Sequence, residues 1–404
     1  VPDFSTTPQE SALRAYLNNF ARTEIRPRSL EADQSEEVPT DFYDVARRSS
    51  VSLEHMPRNP RAGEGGPRKE RTTLRMGVLA SEELAWGDAS FLLSLPGPGL
   101  GGPPVSFIGT PEQRDRFFSI FDDAKVPHYG AYALTEPEAG SDVARIRTRC
   151  EEVPGGFRLN GTKVFITNGG RADWVVVFAT LDPELGRAGH RTFVVERGTP
   201  GFRVGRRHKK LGLRANDTSE LIFEDCVVPE ENLLGGRQHY EARQSKEGFK
   251  VAMATFDSTR PLVAAMAVGI ARAAAERARE LIQDRYVLAR ALPRYRAIQA
   301  ALDDMDTRLR AARLLTWKAA FLADVGEPQS RAASMAKAYA GGEAVRICRE
   351  ALELTAESGE GPDPFLEKWF RDIRVFDIFE GTAEVQRLVI ARRLFEEIGV
   401  KVGL

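Results

Sequence analysis

The chain reads as an α+β protein in three segments: an N-terminal all-helical domain (residues 1–128), a central β-barrel or sandwich domain (129–237) and a C-terminal four-helix bundle (238–404). Three observations predict this. A helical period governs roughly the first 125 residues, short apolar runs crowd together from 129 to 235, and the helical period returns near 245 and persists. With 404 residues the chain also exceeds what one hydrophobic core usually organises.

Taken in order, residues 9–32 place Leu13, Tyr16, Leu17 and Phe20 on one helical face, and 40–50 form a second short helix. Residues 57–68 are a Gly/Pro-rich loop, and 70–86 return to helix. From Phe91 to Pro104, Pro96, Pro98, Pro103 and several glycines permit only short helical pieces. Thr110-Pro111-Glu112-Gln113 then opens a helix, with Thr110 as N-cap and Gln113 closing a capping box. In the middle segment Asn160-Gly161 predicts a hairpin turn between Phe157–Leu159 and Thr162–Ile166. Trp174–Ala179 predicts a buried strand; Thr192–Val195, Phe202–Val204 and Glu220–Phe223 predict further ones. Beyond 245, Ile298, Leu302, Met305 and Leu309 share one helical face, and an Ala-rich helix covers 329–355.

Composition narrows the function. Fifty-seven basic and 58 acidic residues give a net charge of -1, so there is no basic surplus for nucleic acid. Cys150, Cys226 and Cys348 show neither zinc spacing nor a disulfide framework, and five dispersed histidines predict no metal site. No apolar run is of transmembrane length and no signal pattern opens the chain, which predicts a cytoplasmic protein without membrane insertion.

Chemistry points to three stretches. In Asp377–Val389, Glu380 precedes Gly381, and Thr382 caps a helix whose first turn holds Glu384 and Gln386. Glu380 thus sits on a loop at a helix start, where apolar neighbours raise its pKa toward that of a base working near neutrality; the other reading is a partly solvated loop glutamate. Tyr132–Asp142 offers hydroxyls and a glycine to a polyanion or a heteroaromatic ring, or is an ordinary turn after a strand. Phe165-Ile166-Thr167-Asn168-Gly169-Gly170 adds an aromatic and a hydroxyl. Asp257-Ser258-Thr259-Arg260-Pro261 reads as a helix start carrying an Arg near its N-terminus, which suits an anionic ligand or is simply a capped helix.

Residues 131–142, 160–170, 210–229, 256–270 and 371–392, in consecutive order, resemble blocks of the acyl-CoA dehydrogenase family, closest to its medium- and short-chain members. The resemblance implies FAD held between β-domain and bundle, and α,β-dehydrogenation of an acyl thioester carried by CoA or a carrier protein. It implies that Glu380 removes the α-proton while the β-hydride passes to the flavin. The thioester carbonyl would accept hydrogen bonds from the base's own N–H and a flavin ribityl hydroxyl, worth a few kcal/mol per donor on the order of magnitude. It assigns Tyr132, Leu134, Thr135, Gly140, Ser141, Phe165 (Trp in many relatives), Ile166 and Thr167 to the flavin ring. Thr382 and Glu384 fall near the flavin phosphates, and Arg285 in the adenine pocket. Ser141, Asp257, Arg260 and Gly381 become thioester-ligand contacts. Electrons would leave to an electron-transfer flavoprotein or another acceptor, from a homo-dimer or tetramer.

The chain departs from the family where relatives hold the adenine half of FAD across a subunit boundary. Arg-x-x-Phe-Gly becomes Arg285-Tyr286-Val287-Leu288-Ala289, a Gln becomes Arg296, and Gln-x-x-Gly-Gly becomes Glu353-Leu354-Thr355-Ala356-Glu357. Lost glycines oppose close backbone approach, and the carboxylates repel a pyrophosphate. Three readings follow: a homo-oligomeric dehydrogenase, a hetero-oligomer with a paralogue, or a member that has lost tight FAD binding and redox chemistry and reuses Glu380 for acyl transfer or hydrolysis or serves only as a structural partner. Leu92 and Pro96 fall where the family floors its acyl pocket, and predict an irregular apolar pocket for a branched or bulky acyl group.

Overall fold

The computed structural model describes residues 4–51, 73–123, 125–241, 246–286, 293–356 and 362–400, the side chains at 284–286 and 293–294 excepted. The loop 57–68 lies outside them. The N-terminal helices are α1 (Pro8–Phe20), α2 (Ser29–Ser35), α3 (Thr40–Arg48), α4 (Leu74–Leu93), α5 (Gly102–Ile108) and α6 (Pro111–Phe118). The run expected as one helix over 9–32 passes through a π-turn at Ala21–Ile25 and a 3₁₀ turn at Arg26–Arg28 before α2. Pro27 cannot donate to an α-helical ladder, so the path changes there. Helix α4 extends seven residues beyond the expected end at 86, crossing a non-helical Asp88. Both expected features of α6 are present: Thr110 Oγ1 accepts from Gln113 N, and Gln113 closes the capping box.

The middle of the chain is one curled seven-stranded sheet of β1 (Gly130–Ala133), β2 (Arg149–Val153), β3 (Gly156–Thr167), β4 (Trp174–Thr180), β5 (His190–Glu196), β6 (Phe202–Arg207) and β7 (Thr218–Pro229). Its order is β1-β4-β2-β3-β7-β6, with β5 also paired to β4. Strand β4 is buried along its whole length. Its alternate side chains enter two cores: Val175, Val177 and Ala179 on one face, Trp174, Val176 and Phe178 on the other.

The expected Asn160-Gly161 hairpin is corrected. These residues lie inside β3, at an irregularity in its pairing with β7, and the chain reverses around Gly155 instead. The Asn160 amide is committed across the ladder, where its Oδ1 accepts from Asp225 N at 2.8 Å. A Cβ on Gly161 would stand 2.5 Å from Thr148 Oγ1, so glycine here answers a close approach of chains rather than a turn.

The C-terminal helices are α7 (Glu247–Tyr286), α8 (Pro293–Asp324), α9 (Ser330–Ala356), α10 (Pro364–Asp372) and α11 (Ala383–Glu397). Ile298, Leu302, Met305 and Leu309 are all buried, as their spacing predicts. Asp257–Pro261 does not open a helix. It lies inside the 40-residue α7, so the expected anion site at a helix N-terminus is withdrawn. Pro261 was the misleading signal, because a proline that kinks a helix resembles one that starts it. Helix α7 packs against α4 and α9, and Phe20, Phe42 and Phe91 share a core with Leu302, Ile347 and Trp369. The helices from the two ends of the chain therefore bury one common apolar interior. A buried ion cluster joins them: Lys368 contacts Asp88 at 2.8 Å and also Asp372, which accepts from Leu213 N at 2.6 Å.

Candidate active site

Glu380 stands on the turn between a short 3₁₀ segment ending at Asp377 and helix α11, which Thr382 caps by accepting from Val385 N. Its backbone is left-handed, with φ +54°, and Gly381 follows at φ +93°. A non-glycine residue there costs about 1–2 kcal/mol unless its surroundings hold it. Gln386 Nε2 donates to the Glu380 carbonyl at 3.2 Å and to the Gly381 carbonyl at 3.1 Å. Arg260 Nε reaches the Glu380 carbonyl at 3.4 Å, and Lys337 Nζ donates to the Gly381 carbonyl at 2.7 Å. Two adjacent carbonyls thus receive four donor contacts from three elements, and this holds the strained turn.

The side chain is equally defined. Thr259 Oγ1 donates to Glu380 Oε2 at 2.8 Å. Glu380 as a whole is half-buried, yet its carboxylate is enclosed enough that desolvation dominates, pushing its pKa up to about 7. The Thr259 hydrogen bond, Arg260 and Lys337 pull in the opposite direction. Arg260 is itself held by Asp257 Oδ1 at 2.6 Å, which also accepts from Ser330 Oγ at 3.2 Å. The backbone N–H of Glu380 donates to nothing among the described residues, leaving one donor beside the carboxylate.

Of the residues singled out in the sequence, the fold brings Asp257, Arg260, Glu380, Gly381 and Tyr132 together. Tyr132 packs its ring 5.7 Å from Phe256 and 5.0 Å from Phe178, and its buried hydroxyl has no hydrogen-bond partner among the described residues. Tyr132, Leu134 and Ile166 are buried in cores, so the latter two would meet a ligand through backbone. Phe165 is the opposite: φ +60°, 64 % exposed, its ring 4.7 Å from His208. Gly140 and Ser141 are exposed, and a Cβ on Gly140 would meet nothing within 4 Å. The hydroxyls of Thr135, Ser141 and Thr167 form no hydrogen bond among the described residues. Glu384 and Glu353 are exposed, as are Ala356 and Arg296. The Arg285 side chain, Leu288, Ala289 and Glu357 lie outside the described residues. Leu92 belongs to the helical core, while Pro96 is half-buried.

Three family models match this chain consecutively: the acyl-CoA dehydrogenase N-terminal domain over 7–120, its middle domain over 131–226 and its C-terminal domain over 246–395. The chain belongs to the acyl-CoA dehydrogenase family. It is 34 % identical over 395 residues to a short-chain-specific acyl-CoA dehydrogenase of Clostridium acetobutylicum, covering 97 % of this chain and all of that one. Butyryl-CoA dehydrogenase from Megasphaera elsdenii superimposes with a TM-score of 0.85 at 32 % identity, over 97 % of this chain and 100 % of that one. A chain solved in work on the electron transferring flavoprotein of Acidaminococcus fermentans and flavin-based electron bifurcation gives 0.83 at 34 %, covering 97 % and 99 %. This family of CH–CH oxidoreductases has the α–β–α order described above.

Sequence reasoning missed Lys337, and it placed Thr259 and Gln386 in their stretches without giving either a role at the site. The only signal for Lys337 was its place on an alanine face of α9, between Ala333, Ala336, Ala340 and Ala344, where a lysine is out of keeping.

Proposed function

We propose that this chain catalyses FAD-dependent α,β-dehydrogenation of an acyl thioester, with Glu380 as the base that takes the α-proton. The observation that carries this is a desolvated carboxylate with a pKa near 7, fixed on a left-handed turn beside its own free N–H. A group tuned to that value is half ionised near neutral pH and still basic enough to accept a proton from carbon. The Glu380 N–H is suited to the thioester carbonyl, where negative charge gathers as the proton leaves; such a donor contributes about 2–4 kcal/mol.

FAD, when bound, supplies the acceptor for the β-hydride. The residues present suit such a ring: Phe165 offers an exposed aromatic face, and Thr135, Ser141 and Thr167 offer uncommitted hydroxyls. The open space at Gly140 admits close approach. Arg260, neutralised by Asp257, orients the thioester end of the substrate next to the base. A short-chain acyl-CoA is the first substrate to test, from the likeness to the Clostridium and Megasphaera enzymes, and an electron-transfer flavoprotein the first acceptor. Three buried free cysteines suit a reducing cytoplasm, and among the described residues no helix is long and apolar enough to cross a membrane.

Glu353 and Ala356, exposed near the end of α9, favour a second arrangement in which a paralogue supplies the adenine pocket. Counting flavin in the purified protein separates the two. One flavin per chain supports a homo-oligomer; one per two chains with a second polypeptide supports the hetero-oligomer; none refutes the redox reading. Steady-state assays with butyryl-CoA and an artificial electron acceptor test the reaction itself.

A further inference from the structure

Lys337 is 1 % exposed on a helical face of small residues, Ala333, Ser334, Ala340, Gly341 and Ala344. Burying an ammonium there is costly, and burial pulls its pKa down to about 8. It forms no ion pair within 4.0 Å among the described residues; its short contact is the 2.7 Å hydrogen bond to the Gly381 carbonyl, one residue past the base. Glu380 also faces Thr259 and Arg260 of α7, Tyr132 of β1 and Gln386 of α11, while Lys337 feels Asp377 before the turn most strongly, then Glu380, Arg260 and Glu384. Arg260 is paired with Asp257 at 2.6 Å and still pulls the Glu380 carboxyl downward, as Lys337 does.

We infer that Lys337 is a positioning residue for Glu380: its ammonium anchors the left-handed turn through Gly381 and adds to the positive charge behind the base. The inference rests on Glu380 being that base. A cation so placed favours the ionised form of the carboxylate, and Lys337 is among the groups that pull Glu380 downward against burial. Between about pH 7 and 8 both partners are charged, and within that window the base is ionised while its anchor holds.

The test compares Lys337→Met, which removes hydrogen bond and charge, with Lys337→Gln, which removes the charge, and Lys337→Arg, which keeps it. The readout is the pH profile of kcat/KM for butyryl-CoA in the flavin-loaded enzyme. The acid limb is expected to move up by about half a unit or more in the Met and Gln variants and to return toward its original position in the Arg variant. A folded Met or Gln variant with an unmoved limb overturns the inference. On the unaltered chain, the Glu380 carboxylate infrared band, assigned by difference against Glu380→Gln, should shift a second time as Lys337 loses its proton near pH 8; a single transition overturns it whether or not the variants fold. If Glu380→Gln keeps full turnover, the base reading has failed; if it is inactive and the limb is unmoved, only the role of Lys337 has.

Discussion

Replacing Thr259 with Val keeps the side chain's shape and deletes its 2.8 Å contact to Glu380 Oε2, together with the 3.1 Å contact to the Thr255 carbonyl of its own helix. The bond to Glu380 stabilises the ionised carboxylate, since it is a leading influence opposing desolvation. A hydrogen bond to a charged group contributes about 1.5–3 kcal/mol. Taking the lower figure for a half-buried pair, and about 1.4 kcal/mol per pKa unit, the Glu380 midpoint moves from about 7 to roughly 8. In the proposed reaction only the ionised form accepts the α-proton, so activity at pH values well below the limb should fall about tenfold. Above about pH 9 both proteins are fully ionised, and their rates converge. The assay is kcat/KM against pH for a short-chain acyl-CoA, with circular dichroism confirming the fold. A limb that stays within about 0.2 unit of the unaltered enzyme would refute the hydrogen-bond account of how Glu380 is tuned.

Three further outcomes follow from the same geometry. Lys163, 0 % exposed, pairs with Glu136 at 2.7 Å beneath the Leu134–Thr135 stretch, so Lys163→Met leaves a buried carboxylate without its counter-charge, held only by the Arg147 and Thr148 N–H groups, and destabilises by about 3 kcal/mol, read as a lowered Tm. Phe165→Ala removes an exposed ring and changes stability by less than about 0.5 kcal/mol, but weakens flavin retention by about 2–10-fold, measured by equilibrium dialysis. Glu380 binds its proton more tightly folded than unfolded, so its contribution to stability is fully present below about pH 4.5 and is lost as pH rises through about 7. Glu380→Gln should therefore raise Tm relative to the unaltered chain at pH 8 and not at pH 4.

Much of this was legible in the chain itself, because strong local signals met no competing tertiary demand. The Thr110–Gln113 box, the Thr382 cap and the stripe from Ile298 to Leu309 each satisfy a local rule and reappear in space. Asn160-Gly161 and Asp257–Pro261 failed for one shared reason. Each motif is compatible with two backbone settings, and the choice was made by a distant partner: Asp225 for the first, the packing of α4 and α9 along α7 for the second. Glu380 was visible as a candidate base with a raised pKa, but the groups that hold it were not visible as its partners. Thr259, Arg260 and Lys337 reach it from positions 121, 120 and 43 residues upstream, a separation that carries no local period.

The most direct measurement is exchange of the substrate's α-hydrogen with solvent deuterium, compared between the unaltered protein and Glu380→Gln at equal flavin content. The account predicts exchange catalysed by the former and abolished in the latter, with flavin still bound. Exchange that survives the substitution would mean that another group takes the proton, and the role given to Glu380 would be wrong.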